Sequence, residues 1–318
     1  MCVCVVANRG IEVWPTYVAR QMMLPVLLLR VAGASSPLCS TTSATKSVEI
    51  ADGVCMPFLS NGDVMKHTPS INDTMSSSRW LAAGGRGLDT AWSYDHGGYG
   101  LSQRQMGVAI EQSGVPREQI FITSKIPCNP KGGAAVALSY DLQQLNVKQL
   151  DLVLIHTPSK CSSADIAATW AGMQSAKRQN LTRAIGVSNF KPAALEALAK
   201  APSTTVVPAV NQILLHVGNV DNATIQYCTA RKITVEAYSP LGHPNGGGKA
   251  VYLMPEVVAI AKAHKKSGAQ IALKYIVQRG HTLVTASGLS SYDQEDLDMW
   301  SFTLTDEDMA TLDAVKQL

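Results

Sequence analysis

Eight short apolar runs follow one another along this chain, and seven of them end in a polar residue. Short runs rich in Val, Ile and Leu are typical of parallel strands buried on both faces. Between the runs lie segments in which apolar residues recur every three or four positions, the spacing of an amphipathic helix. Strand and helix in strict alternation indicate βαβ units and a parallel sheet. The polar residues that end the runs are Asp89, Lys125, His156, Asn189, Gln212, Tyr238 and Ser287.

Eight such units predict an α/β fold, a (β/α)8 TIM barrel. Because the carboxyl ends of barrel strands meet at one mouth, residues far apart in the sequence should converge there. The segment VEI, a turn at Asp52-Gly53 and the segment VCMPFL predict a short N-terminal β-hairpin before the first barrel strand. One barrel over residues 47–318, preceded by an extension over residues 1–46, accounts for the length of 318 residues.

The extension over residues 1–46 has four basic residues, one acidic residue and a Ser/Thr-rich end. A cleaved secretory signal, an organelle transit peptide and a disordered segment all fit this composition. Its apolar core, Met22 to Leu29, is too short to cross a membrane, for which about 20 apolar residues are needed. We therefore expect no transmembrane segment and a cytoplasmic location, with organelle import or secretion left open by this segment.

The seven cysteines include no CxxC pair. Their odd number and their spacing argue against a disulfide framework and a Cys-rich zinc site, and fit a reducing compartment. The histidines show no metal-ligand spacing, so no metal site is predicted. The net charge of +3 is too small to indicate nucleic acid or an acidic membrane surface as a partner.

Four residues expected at the barrel mouth form a group that can protonate an oxygen: Asp89, Tyr94, Lys125 and His156. A lysine beside a tyrosine hydroxyl lowers the pKa of that hydroxyl toward neutrality, which suits a general acid. Asp89 would hold the lysine, and His156 could donate a hydrogen bond to a carbonyl oxygen. The group lacks a source of electrons.

A nicotinamide cofactor would supply those electrons, and other residues at the mouth fit it. The ring of Tyr238 can stack on a flat heterocycle, while Ser188, Asn189 and Gln212 can bind a carboxamide. Hydride from the cofactor and a proton from Tyr94 together reduce a carbonyl group to an alcohol.

Residues 48–315 resemble an aldo-keto reductase. The motifs that carry the resemblance occur in order and read GLDTAWSY, ITSK, LDLVLIH, RAIGVSNF, NQI and AYSPLG. The resemblance implies NAD(P)H-dependent reduction of aldehydes or ketones by a TIM barrel, usually a monomer, that binds NADPH in extended form. It implies that the four residues named above are the catalytic tetrad. It also implies pyrophosphate contacts from Ser239 and Leu241 and adenine contacts from Glu295 and Asp296.

The loop after Tyr94 departs from the family pattern. The family usually continues with Asn-Glu and reaches Val-Gly soon afterwards, whereas this chain reads YDHGGYGLSQRQMG. Tyr99 is therefore a rival for the general acid. The spacing from Asp89 favours Tyr94, and the proximity to Met106-Gly107 favours Tyr99.

The adenosine end also departs from the pattern. Ala286 and Tyr292 stand where many members have the lysine and the arginine that grip the 2′-phosphate. Because charge-assisted contacts to phosphate are the strong ones, we expect NADPH with a weakened preference, so that NADH remains possible. Ser287 could bind a phosphate as a neutral group.

His156, Val64 and Thr157 are expected to line the substrate pocket. Val64 and Thr157 stand where many relatives carry tryptophan. A less aromatic pocket predicts tolerance of a range of small carbonyl substrates.

Two other functions fit parts of the pattern. The barrel could be a regulatory or scaffold subunit that binds the cofactor with little turnover, because the loop after Tyr94 is altered. It could also be a lyase or isomerase that uses Lys125 as a Schiff base, although the neighbouring Asp89 argues against a nucleophilic lysine.

Overall fold

The computed structural model describes residues 38–40, 46–62, 72–96, 101–242, 250–286 and 288–316. Three residues of interest, Val64, Tyr99 and Ser287, lie outside these ranges. So does the extension over residues 1–46, apart from residues 38–40 and 46.

Three antiparallel strands form a small sheet, and eight parallel strands form a closed barrel. The small sheet contains β1 (Leu38–Ser40), β2 (Ser47–Ala51) and β3 (Val54–Pro57). The barrel strands are β4 (Leu59–Asn61), β5 (Gly87–Asp89), β6 (Phe121–Ile126), β7 (Leu150–Ile155), β8 (Thr182–Ser188), β9 (Val210–Leu214), β10 (Thr234–Tyr238) and β11 (Thr282–Thr285). Neighbours in the barrel follow chain order from β4 to β11, and β11 pairs with β4 to close it. The predicted TIM barrel and its N-terminal hairpin are confirmed.

Helices occupy the connections between the barrel strands and the segment that follows β11. They are α1 (Asp73–Ala82), α2 (Trp92–His96), α3 (Ser102–Gln112), α4 (Ala134–Gln144), α5 (Ser163–Arg178), α6 (Pro192–Lys200), α7 (Asn222–Ala230), α8 (Pro255–His264), α9 (Gly268–Gln278), α10 (Ser290–Leu297) and α11 (Asp306–Ala314). Reciprocal capping boxes begin α5, α9 and α11, where Ser162, Ser267 and Thr305 satisfy backbone N–H groups that the first turn leaves free. Among these described helices none is long and apolar enough to cross a membrane.

The N-terminal hairpin packs against the start of the barrel. Ile50, Val54 and Met56 of the hairpin belong to one buried cluster with Phe121 of β6 and Leu152 of β7. Other residues of β6 and β7 alternate outward into the larger core beneath the helices, as expected for strands covered on both faces. The polar residues near the carboxyl ends of the strands therefore lie at the end of the barrel opposite the hairpin.

Two disulfide bonds correct the interpretation of the cysteines. Cys39 pairs with Cys55, with Cα atoms 5.6 Å apart, and Cys128 pairs with Cys161, with Cα atoms 6.3 Å apart. The prediction of no disulfide framework was wrong because it considered only the number of cysteines and their spacing along the chain. Cys128 and Cys161 follow the neighbouring strands β6 and β7, so the barrel brings their loops together. The cysteine argument for a reducing compartment loses its basis.

Removal of the Cys128–Cys161 bond should destabilise the barrel. The bond spans 33 positions, and closing such a loop in the unfolded chain contributes about 3–4 kcal/mol of stability. We expect the double variant Cys128→Ser, Cys161→Ser to lose that much unfolding free energy in denaturant titrations of the oxidised protein. The variant Cys228→Ser, which alters a buried free thiol, is the comparison. Equal unfolding free energies for the double variant and the unaltered oxidised protein would contradict a stabilising bond.

Candidate active site

The strand ends bring the predicted acid group to one mouth of the barrel. Asp89 is the last residue of β5, Lys125 lies one residue before the end of β6, and His156 directly follows β7. Because β5, β6 and β7 are consecutive neighbours, the three side chains project from adjacent positions.

Asp89 and Lys125 form a buried ion pair. Lys125 Nζ donates to Asp89 Oδ1 at 2.5 Å and to the carbonyl oxygen of Thr90 at 3.0 Å. Burial alone would lower the pKa of Lys125, but the charges of Asp89 and Tyr94 and the hydrogen bond to Asp89 outweigh it and raise that pKa. Lys125 is therefore a fixed cation.

The short helix α2 places Tyr94 beside this cation. The helix starts three residues after the end of β5, and the Tyr94 N–H donates to the carbonyl oxygen of Ala91 at 3.0 Å. Lys125 Nζ lies 5.2 Å from the centroid of the Tyr94 ring. The same ring meets the His156 ring edge to face, with centroids 5.8 Å apart. The Tyr94 ring therefore lies beside both Lys125 and His156 at the mouth.

His156 is held neutral. Burial and, after it, the charge of Lys125 lower the pKa of His156 to about 3. Ser93 Oγ lies 3.1 Å from His156 Nδ1. The sequence analysis did not single out Ser93, although its position beside Tyr94 in the same motif was the available signal.

A second group of predicted residues lies on strands β8, β9 and β10 or directly after them. Asn189 adopts a left-handed backbone conformation with φ of +64°, which asparagine tolerates well. Its Nδ2 donates to the carbonyl oxygen of His156 at 3.0 Å, and its Oδ1 accepts from the Tyr238 hydroxyl at 2.9 Å. Ser188 Oγ donates to the carbonyl oxygen of Gln212 at 2.9 Å. These bonds fix the expected carboxamide-binding residues next to the acid group.

Gln212 connects the two groups across the barrel. Its Nε2 donates to Asp89 Oδ2 at 2.9 Å and to Glu236 Oε2 at 2.7 Å. With both amide hydrogens used, Oε1 is the atom of Gln212 that can accept from a bound carboxamide. Glu236 was missed in the sequence, although alternation along β10 puts it on the same face as Tyr238.

The other residues predicted to contact the cofactor lie in the turn after β10 and on α10. Ser239 has a φ of +50°, and the N–H groups of Gly242 and Val251 donate to the carbonyl oxygens of Ser239 and Leu241. These bonds shape the turn after β10.

Thr157 was predicted to line the substrate pocket together with His156. Its side chain donates to Ser159 Oγ at 3.1 Å.

Helix α10 carries the predicted adenine-contacting residues. Glu295 Oε2 accepts from Ser267 Oγ at 2.8 Å, and Asp296 Oδ2 accepts from Thr285 Oγ1 at 3.3 Å. Burial raises the pKa of Asp296 to about 7. Tyr292 on the same helix is half exposed, and Ala286 just before the helix is exposed.

The arrangement fits a nicotinamide ring at the mouth. The half-buried Tyr238 ring and the Gln212 Oε1 acceptor lie next to the acid group. A nicotinamide ring held by these two residues would lie close to a carbonyl group bound by the acid group. Among the described residues no group of three His, Cys, Asp or Glu side chains could hold a metal ion.

Comparisons with known proteins agree with this architecture. The model of the "Aldo/keto reductase family" matches residues 72–317. The glyoxal reductase of Bacillus subtilis is 33% identical over 279 residues, which cover 87% of this chain and 95% of that protein. The 9,11-endoperoxide prostaglandin H2 reductase of Trypanosoma cruzi is 33% identical over 249 residues, which cover 77% of this chain and 83% of that protein.

A solved structure shows the same fold. The crystal structure of an aldo/keto reductase from Brucella melitensis superposes with a TM-score of 0.75 at 30% sequence identity. The superposition covers 85% of this chain and 98% of that one. The chain therefore belongs to the aldo/keto reductase family, and it is an oxidoreductase that acts on carbonyl groups and the corresponding alcohols.

Proposed function

We propose that this protein reduces small aldehydes or ketones to alcohols with Tyr94 as the general acid. The observation that carries the proposal is the buried Asp89–Lys125 pair beside the Tyr94 ring. A fixed cation next to a phenol stabilises the phenolate that remains after the proton has left, so it makes the hydroxyl a stronger acid.

The bound cofactor would supply the hydride, and the residues of this chain would position and protonate the carbonyl oxygen. Neutral His156 can donate a hydrogen bond through Nε2 when the Ser93 hydroxyl donates to Nδ1. That bond would orient the carbonyl oxygen toward Tyr94 and stabilise the negative charge that develops on it. Lys125, as a cation, would stabilise the phenolate.

We assign the nicotinamide site to Ser188, Asn189, Gln212 and Tyr238, on the contacts described above. The pyrophosphate would lie against Ser239 and Leu241, and the adenine against Glu295 and Asp296. NADPH is the expected cofactor, as in the family, with NADH as the alternative because Ala286 and Tyr292 carry no charge.

The substrate class follows from the pocket and from the relatives. Thr157, which directly follows His156, is smaller than tryptophan, and so is Val64, which lies outside the described residues. Because one relative is a glyoxal reductase, small dicarbonyl compounds are the first substrates that we would test.

Initial rates of NADPH and NADH oxidation by the full-length chain test the function. The panel would contain small aldehydes, ketones and dicarbonyls, and we expect turnover with at least one of them. Cofactor binding without any turnover would instead support a regulatory barrel. Trapping of a substrate on Lys125 by borohydride would support Schiff-base chemistry, which a lysine held as a cation does not favour.

Restoring two cations should change the cofactor preference. We expect the double variant Ala286→Lys, Tyr292→Arg to raise the ratio of kcat/KM for NADPH over NADH by at least about 10- to 100-fold, because even one charge-assisted bond to phosphate contributes about 1.5–3 kcal/mol. The measurement is kcat/KM for both cofactors with one carbonyl substrate. Val207→Lys adds a cation at an exposed position just before β9 and should leave the ratio unchanged. An unchanged ratio in the double variant would show that neutral groups already bind the phosphate.

The cellular location and the oligomeric state are further parts of this proposal. The cytoplasm is the location that the sequence favours, and the two disulfide bonds weigh against it because such bonds persist mainly in oxidising compartments. We expect a monomer, as the resemblance implies, which light scattering of the purified chain would check.

A further inference from the structure

Glu236 is a carboxyl group that the proposed mechanism does not use. It occupies the centre of β10 and is completely buried. Its Oε2 accepts from Gln212 Nε2 at 2.7 Å, whereas its Oε1 is buried without a hydrogen-bond partner. A buried carboxylate with an unsatisfied oxygen is costly, so this position favours the neutral acid.

Hydrogen bonds connect Glu236 to the acid group. The same Gln212 Nε2 that donates to Glu236 donates to Asp89 Oδ2 at 2.9 Å. The other oxygen of Asp89 accepts from Lys125 Nζ, which lies 5.2 Å from the centroid of the Tyr94 ring. One chain of side chains therefore runs from β10 through β9 and across the barrel to β5, β6 and α2.

The charges along this chain favour one proton on Glu236. Asp89 from β5 and Lys125 from β6 are the charged groups that face Glu236. Its register partners on the flanking strands are Gln212 of β9 and Thr282 of β11, and neither of these side chains titrates. Burial and then the charge of Asp89 raise the pKa of Glu236 to about 8. Asp89 contacts Lys125 directly, so an ion pair lies at the far end of the bonds that begin at Glu236.

We propose that Glu236 is a positioning residue for carbonyl reduction, which holds the Gln212 amide against Asp89 and sets the charge that Lys125 and Tyr94 experience. This inference rests on the proposed role of Tyr94. Above about pH 8 an ionised Glu236 adds a negative charge to the network. That charge opposes formation of the Tyr94 phenolate and raises the pKa of the Tyr94 hydroxyl.

The direct test is an ultraviolet titration of the Tyr94 phenolate in the full-length protein. The Tyr94 signal is the difference between each protein and the same protein with Tyr94→Phe. Glu236→Gln keeps the size of the side chain and an oxygen that can accept from Gln212, but it cannot ionise. We expect the Tyr94 midpoint to fall by about one pH unit in this variant, because a nearby negative charge has been removed.

Two further variants provide an alternative substitution and a control for this test. Glu236→Met also removes the charge, suits a buried position and should lower the midpoint in the same direction if Glu236→Gln folds poorly. Asp151→Asn is the control, because Asp151 is a buried carboxyl group near the start of β7 that accepts from Arg117 and Arg183, outside this chain of bonds. Midpoints in the Glu236 variants equal to those of the unaltered protein and of Asp151→Asn would overturn the inference.

The pH profile of turnover separates this inference from the proposed function. We expect the alkaline fall of kcat for carbonyl reduction to move to lower pH in Glu236→Gln, with little change in KM for the cofactor. If the unaltered protein turns over and its alkaline fall does not move in the variant, the inference fails and the reductase assignment stands. If the Tyr94 midpoint moves and no carbonyl compound is reduced, the electrostatic link stands and the reductase assignment fails.

Discussion

Replacing Tyr94 with phenylalanine is expected to lower kcat for carbonyl reduction by about 100- to 10,000-fold, the usual contribution of a positioned general acid. The phenyl ring can still pack against His156 and beside Lys125, so the mouth should keep its shape. Cofactor affinity should change little, because the expected nicotinamide contacts come from β8, β9 and β10. Fluorescence titration of the cofactor and steady-state kinetics measure the two quantities separately.

Two tyrosine variants make this result specific. Tyr227→Phe removes a hydroxyl that donates to Glu196 on the helical surface and should leave kcat unchanged. Tyr99→Phe tests the rival acid, which lies outside the described residues. Full activity in Tyr94→Phe together with a large loss in Tyr99→Phe would transfer the acid role to Tyr99.

Replacing Lys125 with methionine should affect both stability and turnover. The change leaves Asp89 buried without its cation, and breaking a buried ion pair in this way typically lowers the unfolding free energy by about 3–5 kcal/mol. It also removes the charge that stabilises the Tyr94 phenolate, so kcat should fall even where the protein remains folded. Denaturant unfolding and kcat at a temperature well below the midpoint distinguish the two effects.

The matched control is the same substitution in an exposed pair. Lys191 Nζ lies 2.6 Å from Asp221 Oδ2 at the surface, and Lys191→Met should cost less than about 1 kcal/mol. A double-mutant cycle with Lys125→Met and Asp89→Asn isolates the coupling between the buried partners. A coupling energy near zero would mean that the two residues do not stabilise each other, and it would remove the basis for treating Lys125 as a fixed cation.

The sequence predicts most of the barrel because the relevant patterns are local. Continuous apolar runs identify buried parallel strands, and the segments between them with apolar residues every three or four positions identify helices. The sequence does not predict the short helix α2 or the helices α8 and α10. Apolar residues occur almost without interruption from Val257 to Ala261 in α8. Helix α10 is largely polar, so neither helix shows a clear amphipathic repeat.

The features that the sequence analysis missed depend on contacts between distant segments. The Cys128–Cys161 bond and the contact between Ser93 and His156 each join residues that only the barrel brings together. Glu236 sits in an apolar strand, and its importance appears only through Gln212, which contacts Asp89 123 positions away along the chain. Strand ends alone predict which residues share a mouth, but not which atoms pair.

The order of the strands has a consequence for recombination between family members. The acid group lies on β5 to β7 and α2, whereas the expected cofactor contacts lie on β8 to α10, later in the chain. A crossover in the turn between α5 and β8 would join the proton donor of one parent to the cofactor site of another. The residue that such a chimera must retain is Gln212, since it reaches back from the second segment to Asp89 in the first. Exchange of one contiguous gene segment could therefore alter cofactor choice while the acid chemistry is inherited intact.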